Sequence, residues 1–350
     1  MCGITGILSL AGEPAPARIV EAMTDAIAHR GPDGEGLFVD GPVGLGHRRL
    51  AIIDPSPAGH QPMQTADGRY VLNYNGEVFN FQELRIELEA LGHRFRSRTD
   101  TEVVLEAFAE WGPEALERLN GMFAFAVWDA ARQELTLARD RYGVKPLYWA
   151  RRDGNVLFGS EVKALLAHPG FRTELDLEAL AEYLTFQNVF TTRTLFEGVS
   201  LLAPGCMLRI GAGDGRIEGR AYWRYAFREP EEPADAREYR EELTRLFRQA
   251  VNRQLVADVP VGAYLSGGMD SGSITAVAAA QIPELRTFTV GFDLHSASGI
   301  ELGFDEREAS EYMSYLFQTE HYEMVLKAGD MERALPRLVW HLEDLRVGQT

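Results

Sequence analysis

The stretch MCGITGILSL (residues 1–10) places one of the two cysteines of the chain directly after the initiator methionine and ahead of an apolar run. The run has the composition of a buried strand, with Ile4, Ile7, Leu8 and Leu10. Removal of Met1 would leave Cys2 with both a thiol and a free α-amine. An α-amine, with a pKa near about 7.7–8.0, can accept the proton of a thiol without a histidine partner. The stretch therefore predicts a strand that follows a candidate nucleophile.

Composition restricts the classes of function that the chain can have. The 350 residues include 35 basic and 52 acidic side chains, a net charge of −17 that repels phosphate backbones and anionic membranes. No nucleic-acid or membrane partner is expected. The absence of a signal-peptide pattern and of a long apolar segment predicts a soluble, cytoplasmic protein. Cys2 and Cys206 lie in no metal-binding spacing, so no structural zinc is expected.

The first 210 or so residues alternate short apolar runs with tight turns, which predicts an α+β domain of antiparallel sheets packed with helices. Helical patterns interrupt these runs at Pro16–Ala28, Phe81–Leu91, Glu102–Trp111 and Leu177–Leu184. The segment YAFREPEEPADA (225–236) is rich in proline and glutamate and suits neither a strand nor a helix. We therefore predict a domain boundary there, with domains at 1–228 and 229–350.

The second domain begins with a predicted helix, for which Asp235 and Glu238 have the spacing of a capping box. Strand and helix patterns then alternate, with strands at VPVGAYL, RTFTVGF and HYEMVL and helices from Ser271, around 306–317 and around 331–342. This order is typical of an α/β, doubly wound parallel sheet. Three strands are few for such a domain, so the domain is expected to be truncated.

The loop SGGMDS (266–271) joins a predicted buried strand to a helix rich in small residues. Its glycines allow backbone N–H groups to approach an anion, and the helix start adds partial positive charge. A phosphate cradle is the favoured interpretation, and a plain strand-to-helix turn is the alternative. A second glycine cluster, GAGDGR (211–216), precedes no convincing helix and predicts a hairpin turn.

Six stretches together give the chain its family resemblance: CGI (2–4), HRGPD (29–33), HRRL (47–50), NGEVFN (75–80), RTDTE (98–102) and RDRYGVKPLYW (139–149) with GSEVKALL (159–166). Their order resembles the N-terminal-nucleophile glutaminase domain of class II amidotransferases. With SGGMDS, which resembles the pyrophosphate loop of ATP pyrophosphatases, the whole chain is similar to the glutamine-dependent asparagine synthetases. The resemblance implies an α+β glutaminase domain of two packed antiparallel sheets with helices, followed by the synthetase domain.

The resemblance assigns glutamine hydrolysis to Cys2, with Asn75 and Gly76 as oxyanion donors. Glutamine itself would be held by Arg49, Asn75, Glu77 and Asp100. Arg49 suits an α-carboxylate and Asp100 an α-ammonium, so charge complementarity supports both assignments. Local sequence leaves other interpretations open. Asn75-Gly76 is a common hairpin turn, Arg49 and Asp100 are residue types usually found at the surface, and Glu161 with Lys163 would form an exposed pair.

For the second domain the resemblance implies binding of ATP, with Mg²⁺ held in part by Asp270. The implied ATP-binding residues are Leu265, Ser266, Gly267, Gly268, Asp270, Ser271, Val290 and Gly291. Core packing is at least as good an explanation for the side chains of Leu265 and Val290. A carboxylate acceptor, aspartate by analogy, would be adenylated and converted to asparagine with release of AMP and pyrophosphate. The resemblance is compatible with a homodimer.

The sequence departs from the family pattern in three places. Gly272 replaces the usual second serine of SGGxDSS, which predicts altered pyrophosphate affinity. Residues 344–350 differ from the acceptor-binding stretch of the family, and its second ATP-site motif, SGxGxDE, does not occur in this sequence. Two alternatives therefore stay open: an amidotransferase for a different carboxylate, and a glutaminase or regulatory protein without a complete synthetase site.

Overall fold

The computed structural model describes residues 1–230, 235–293, 295 and 301–345. This part of the chain forms two compact units, one made of Met1–Ala226 and the residues from Leu342 onward, the other of Phe227–His341. The predicted boundary after residue 228 lies two residues beyond Ala226. None of the described helices combines the length and apolar character that a membrane span requires.

The first unit is built mainly of strands. They are β1 (Gly3–Ser9), β2 (Gly34–Asp40), β3 (Val43–Arg49), β4 (Met63–Gln64), β5 (Tyr70–Val78), β6 (Gly121–Asp129), β7 (Glu134–Arg139), β8 (Tyr148–Arg152), β9 (Asn155–Gly159), β10 (Val199–Leu201), β11 (Cys206–Gly211) and β12 (Ile217–Ala221). Its helices are α1 (Ala17–Asp25), α2 (Phe81–Ala90), α3 (Asp100–Trp111), α4 (Ala115–Arg118), α5 (Val162–Leu166) and α6 (Leu177–Phe186). The predicted helical patterns are confirmed, and GAGDGR joins β11 to β12 as the predicted hairpin turn.

The strands form two antiparallel sheets, with the orders β10-β8-β9-β1-β3-β2 and β12-β11-β7-β6-β5-β4. The strand predicted from the first ten residues is β1, which lies inside its sheet between β3 and β9. All seven of its residues are buried because both faces of the strand are covered. Cys2 thus precedes one of the most enclosed strands of the unit.

Side chains of the two sheets interdigitate to form the central core, in which Ile4, Leu8 and Leu45 meet Ala126 and Trp128. Helices α2 and α3 pack on the outer face of the β5–β6 sheet, and α1 and α5 pack on the outer face of the β1 sheet. The result is a four-layer arrangement of helices, sheet, sheet and helices. The predicted α+β architecture of two packed antiparallel sheets is confirmed for this unit.

The second unit alternates helices and strands in the predicted order. Its elements are α7 (Ala236–Gln254), β13 (Gly262–Tyr264), α8 (Met269–Ala279), β14 (Arg286–Phe292), α9 (Arg307–Phe317), β15 (Glu320–Leu326) and α10 (Asp330–Leu342). The three strands pair in parallel in the order β13-β14-β15. That this sheet belongs to a larger doubly wound domain stays a prediction.

One face of the parallel sheet is covered and the other is open to solvent. Along β14, Thr287, Thr289 and Gly291 are buried, whereas Phe288 and Val290 between them are exposed. The open apolar face, defined here by Tyr264, Phe288, Val290, Tyr322 and Met324, is partly ordered by stacking of Phe288 on Tyr322.

Candidate active site

A cavity of about 150 Å³ opens beside Cys2 in the first unit. It gathers residues that the sequence places far apart: the chain start, the end of β3, the middle of β5, the start of α3 and the segment after β7. Its lining includes every glutaminase residue predicted from the sequence, namely Cys2, Arg49, Asn75, Gly76, Glu77 and Asp100. The antiparallel sheets therefore bring the predicted set to one place.

The Cys2 side chain is held between backbone groups at the end of β3. The backbone N–H of Leu50 donates to the Cys2 sulfur at 3.3 Å, and Arg30 Nε donates to the Cys2 carbonyl oxygen at 2.9 Å. Burial raises the pKa of the Cys2 thiol, while the hydrogen bond from Leu50 opposes that rise. The thiol consequently needs a nearby base or positive charge in order to react as a thiolate.

Asn75 and Gly76 lie within β5, so the hairpin-turn interpretation of this pair is wrong. Both residues pair with β6, and a β-carbon at Gly76 would lie 2.5 Å from the carbonyl oxygen of Met122. The close approach of the β6 backbone explains the glycine. The Nδ2 atom of Asn75 is buried and has no hydrogen-bond partner among the described residues. A buried donor without an acceptor is costly, which makes this amide a candidate ligand for a substrate oxygen.

The Arg49 guanidinium is oriented by backbone carbonyl groups of the loop that follows β3. Its terminal nitrogens donate to the carbonyl oxygens of Ser56 at 2.8 Å and Asp54 at 2.6 Å. No carboxylate of a described residue lies within ion-pair distance of Arg49, so its charge is available to a ligand in the cavity. The interpretation of Arg49 as an ordinary surface charge is therefore not favoured.

Asp100 is only 5% exposed, at the first residue of α3, so the surface-charge interpretation is wrong for it. Its Oδ2 accepts hydrogen bonds from the Tyr74 hydroxyl at 2.7 Å and from the Val78 N–H at 3.0 Å. Burial raises the pKa of the Asp100 carboxyl, and these two donors oppose the rise. Burial also raises the pKa of Glu77, and the negative charge of Asp100 raises it further. The cavity thus carries acidic groups on one side and Arg49 on another.

Tyr74 and Lys145 are cavity residues that the sequence reasoning missed. Tyr74 directly precedes the motif NGEVFN on β5, but its link to Asp100 depends on how α3 packs against that strand. Lys145 occurs inside the quoted motif RDRYGVKPLYW, and it is 5% exposed. The sequence did contain a signal for Lys145, namely a lysine between two apolar residues within a motif of the family.

Glu161 and Lys163 form a buried pair, so the prediction of an exposed pair is wrong. Their side chains are 9% and 12% exposed, and Arg30 donates to Glu161 at 2.8 Å. His29 also contacts Glu161, at 3.0 Å. Since Arg30 also donates to the Cys2 carbonyl oxygen, this cluster holds the backbone of Cys2, the predicted nucleophile.

The SGGMDS loop lies in the second unit, between β13 and the start of α8. Helix α8 begins at Met269, two residues before the predicted start, because Gly268 serves as its N-cap. The Ser266 and Ser271 hydroxyl oxygens lie 2.8 Å apart, and the Gly268 N–H donates to Ser266 Oγ at 3.1 Å. The hydroxyls therefore shape the loop from inside, and the first N–H groups of α8 remain for an anion.

The remaining predicted ATP residues lie at the carboxyl ends of β13 and β14. Leu265 is 1% exposed, so its side chain belongs to the core, whereas Val290 is 48% exposed. The Thr289 hydroxyl donates to the Leu265 carbonyl oxygen, which ties the two strands together here. The side of Gly291 where a β-carbon would lie is filled by Arg307. Only backbone atoms of Leu265 and Gly291 are thus suited to meet a nucleotide.

Gly272 faces α9 and not the interior of the loop. A β-carbon at this position would lie 2.9 Å from the sulfur of Met313. Helix packing therefore accounts for the glycine in place of serine. Residues 344–350 were predicted to differ from the acceptor-binding stretch of the family. Of these residues, the structure describes only Asp344 and Leu345.

Comparisons with known proteins agree with this geometry. Residues 1–223 match the glutamine amidotransferase domain family and residues 242–350 match the asparagine synthase family. "Asparagine synthetase [glutamine-hydrolyzing] 1" of Bacillus subtilis (strain 168) is 37% identical, over 98% of this chain and 53% of the relative. "Putative asparagine synthetase [glutamine-hydrolyzing] 2" of Methanocaldococcus jannaschii is 31% identical, over 97% of this chain and 68% of the relative.

A solved structure titled "Structure of the allosteric regulatory enzyme of purine biosynthesis" has a TM-score of 0.50 at 17% identity, covering 93% of this chain and 80% of that chain. At this identity the likeness concerns the fold alone. The chain covers 53% of the B. subtilis relative, which is about half of that protein's length.

Proposed function

This chain belongs to the glutamine-hydrolysing asparagine synthetase family, and on that premise we propose that it hydrolyses glutamine at Cys2 and uses ATP to amidate aspartate. The products are glutamate, asparagine, AMP and pyrophosphate. The first unit carries the hydrolysis and the SGGMDS loop of the second unit carries the phosphates of ATP.

In the hydrolytic half, the thiol of Cys2 attacks the side-chain amide carbon of glutamine, and the α-amine freed by loss of Met1 takes the thiol proton. The carbonyl oxygen becomes an oxyanion that Asn75 Nδ2 and the Gly76 N–H stabilise. Return of the proton to the amide nitrogen releases ammonia and leaves a thioester on Cys2. Water then cleaves the thioester to give glutamate and the free thiol.

The observation that carries the proposal is the orphaned amide of Asn75 in the Cys2 cavity. A buried N–H donor without a partner is rare, and this one lines the same cavity as a nucleophile. Arg49 supplies a positive charge for the α-carboxylate of glutamine, and Asp100 supplies a negative charge for its α-ammonium. The site is thus complementary to a zwitterion with a reactive amide.

In the synthetic half, Asp270 is a suitable ligand for Mg²⁺ on the phosphates of ATP. It is exposed in the first turn of α8, and it belongs to no larger group of metal-ligating side chains among the described residues. Mg²⁺ commonly binds through one or two carboxylates together with substrate phosphates, so a single carboxylate fits. Bound there, the ion would neutralise phosphate charge, while the N–H groups at the start of α8 orient the phosphates.

The test compares Cys2→Ala with Cys206→Ala, which removes the other cysteine of the chain. Glutamate release from glutamine should disappear in Cys2→Ala and persist in Cys206→Ala, because only Cys2 lines the cavity. Intact-mass spectrometry should also show loss of Met1 in the active protein. Glutamate release at the wild-type rate in Cys2→Ala, or an active protein that retains Met1, would contradict the nucleophile assignment.

The synthetic half is measured separately, by aspartate-dependent exchange of labelled pyrophosphate into ATP. Exchange supports adenylation of aspartate. Hydrolysis of glutamine with no exchange on aspartate would discard asparagine synthesis by this chain, and exchange on another carboxylate would identify a different acceptor.

A further inference from the structure

Lys145 is a buried cation at the edge of the Cys2 cavity, and its ammonium has a weak partner. The side chain is 5% exposed, and Nζ donates to the thioether sulfur of Met1 at 3.2 Å. No carboxylate or carbonyl oxygen of a described residue lies within hydrogen-bond distance of Nζ. A thioether is a poor acceptor, and a buried ammonium without a good partner is costly. Such a group in a cavity is a candidate functional residue.

Maturation changes this environment, because the residue that contacts Lys145 is the one that is removed. Loss of Met1 deletes the thioether and creates an α-amine on Cys2 at the same end of the cavity. The new amine and the Cys2 thiol would then share the cavity with the ammonium of Lys145, on whose pKa the charge of Cys2 already acts.

Other charged groups also face this end of the cavity: Arg30, Arg49, Asp33, Glu77, Asp100 and Asp140. Most of them have strong partners of their own. Arg30 donates to Glu161, and Asp140 accepts backbone N–H groups, including those of Phe123 and Val144. Lys145 differs from them because its charge has no comparable partner.

We propose that Lys145 is a positioning residue for glutamine hydrolysis, whose ammonium keeps the α-amine of processed Cys2 uncharged and favours the thiolate of the same residue. The inference rests on the proposed function, in which that amine is the base. It requires no movement of the sheets, since Lys145 already lines the cavity.

The direction of the effect follows from electrostatics. A positive charge nearby disfavours a second positive charge on the amine and favours a negative charge on sulfur, so the pKa of both groups falls. In the unprocessed chain, burial lowers the pKa of the Met1 amine, and Arg30 and Lys145 lower it further although Cys2 opposes this. Burial also lowers the pKa of Lys145 itself, and Glu77 opposes that shift.

The test measures alkylation of Cys2 by iodoacetamide as a function of pH, in processed protein without glutamine. Peptide mass spectrometry separates Cys2 from Cys206, which serves as the internal reference. In Lys145→Met the alkylation midpoint of Cys2 should move to higher pH by about one unit, the lower end of the effect of a neighbouring charge. Lys145→Arg should restore the wild-type midpoint, and Lys327→Met, which removes an exposed lysine of the second unit, should not change it.

The acid limb of kcat/KM for glutamine should move in the same direction in Lys145→Met. An unchanged Cys2 midpoint in Lys145→Met overturns the proposal, as does a parallel shift of Cys206 or a raised KM without a shift of the midpoint, which would make Lys145 a substrate ligand. Absence of glutamine hydrolysis in the wild type would contradict the proposed function instead. The alkylation profile needs no turnover, so it still decides the role of Lys145.

Discussion

In the proposed function Asp100 binds the α-ammonium group of glutamine, and the Asp100 carboxylate is itself held by Tyr74. One carboxylate oxygen is occupied by the Tyr74 hydroxyl and the Val78 N–H. The backbone N–H groups of Thr101 and of Asp100 itself also stabilise the carboxylate. Because Asp100 is buried, each lost donor makes its charged form less stable.

Tyr74→Phe should therefore raise the KM for glutamine about tenfold, as expected for loss of one hydrogen bond to a charged group. The same change should raise the pKa of Asp100 further. Asp100 must be ionised to hold an ammonium, so kcat/KM should begin to fall at a higher pH in the variant than in the wild type. Steady-state kinetics over a range of pH measure both effects.

Tyr183→Phe is the matched control. The Tyr183 hydroxyl is also buried, but it has no hydrogen-bond partner among the described residues and does not line the cavity. This substitution should leave KM and the pH profile of glutamine hydrolysis as they are. If Tyr74→Phe behaved like Tyr183→Phe, the role assigned to Tyr74 would be wrong.

Individual site residues differ in how far the sequence reveals them. The proposed role of Cys2 could be predicted from its position at the start of the sequence, and those of Arg49 and Asp100 could be predicted because motifs of the family contain them. Lys145 also lies in such a motif, but the roles proposed for Tyr74 and Lys145 depend on contacts with α3 and with Met1, which the motifs do not show. The burial of Glu161 was missed for the same reason, because Arg30 lies 131 residues away.

At the scale of structural elements, the strand-loop-helix unit formed by β13, SGGMDS and α8 is the one to which the proposed function assigns the phosphates of ATP. Its shape is set by the internal hydrogen bonds of Ser266 and Ser271, and its exposed carboxylate is Asp270. The loop geometry and the carboxylate proposed to bind Mg²⁺ can therefore be separated by mutation.

Asp270→Asn should reduce aspartate-dependent pyrophosphate exchange by a factor of about 100 or more, because an amide is a weaker ligand for Mg²⁺ than a carboxylate. Glutamine hydrolysis in the first unit should stay near the wild-type rate. Glu308→Gln, which neutralises an exposed acid in the first turn of α9, is the control and should keep the exchange. Equal exchange in Asp270→Asn and the wild type would remove Asp270 from the phosphate site.

Local sequence patterns predicted most of the helices and strands, but they did not predict how the strands pair. The small residues after Ser271 predicted a helix that starts at Ser271. Helix α8 starts at Met269 instead, because Gly268 is its N-cap. Asn75-Gly76 has the local signal of a turn, yet β5 continues through it because β6 pairs along its whole length. Such pairing is a long-range property, so short-range turn preferences do not decide it.

For the molecule as a whole, the open apolar face of the parallel sheet is the feature with the largest expected effect on behaviour in solution. Parallel sheets normally have both faces covered, and a contiguous exposed apolar patch favours association. The 350-residue chain should therefore bind a hydrophobic dye and self-associate at high concentration.

Met324→Lys should reduce dye fluorescence and self-association, since it places a charge within the open apolar face, on the edge strand β15. Val39→Lys, which changes an exposed apolar residue of β2, should have little effect. Dye titration and light scattering would compare the two variants, and both should retain glutamine hydrolysis. Equal dye binding by Met324→Lys and the wild type would show that this face does not govern association.

The central position of β1 has a consequence for biosynthesis. Cys2 is synthesised before the strand that follows it, and that strand pairs with β3 and with β9, which ends at Gly159. The Cys2 thiol is therefore present in the nascent chain before the neighbouring strand β9 exists. During that interval the thiol lacks the cavity around it, and the loss of Met1 that the proposed function requires would take place at an accessible chain end. Glutamine hydrolysis should thus begin only after the ribosome has made the whole of the first sheet.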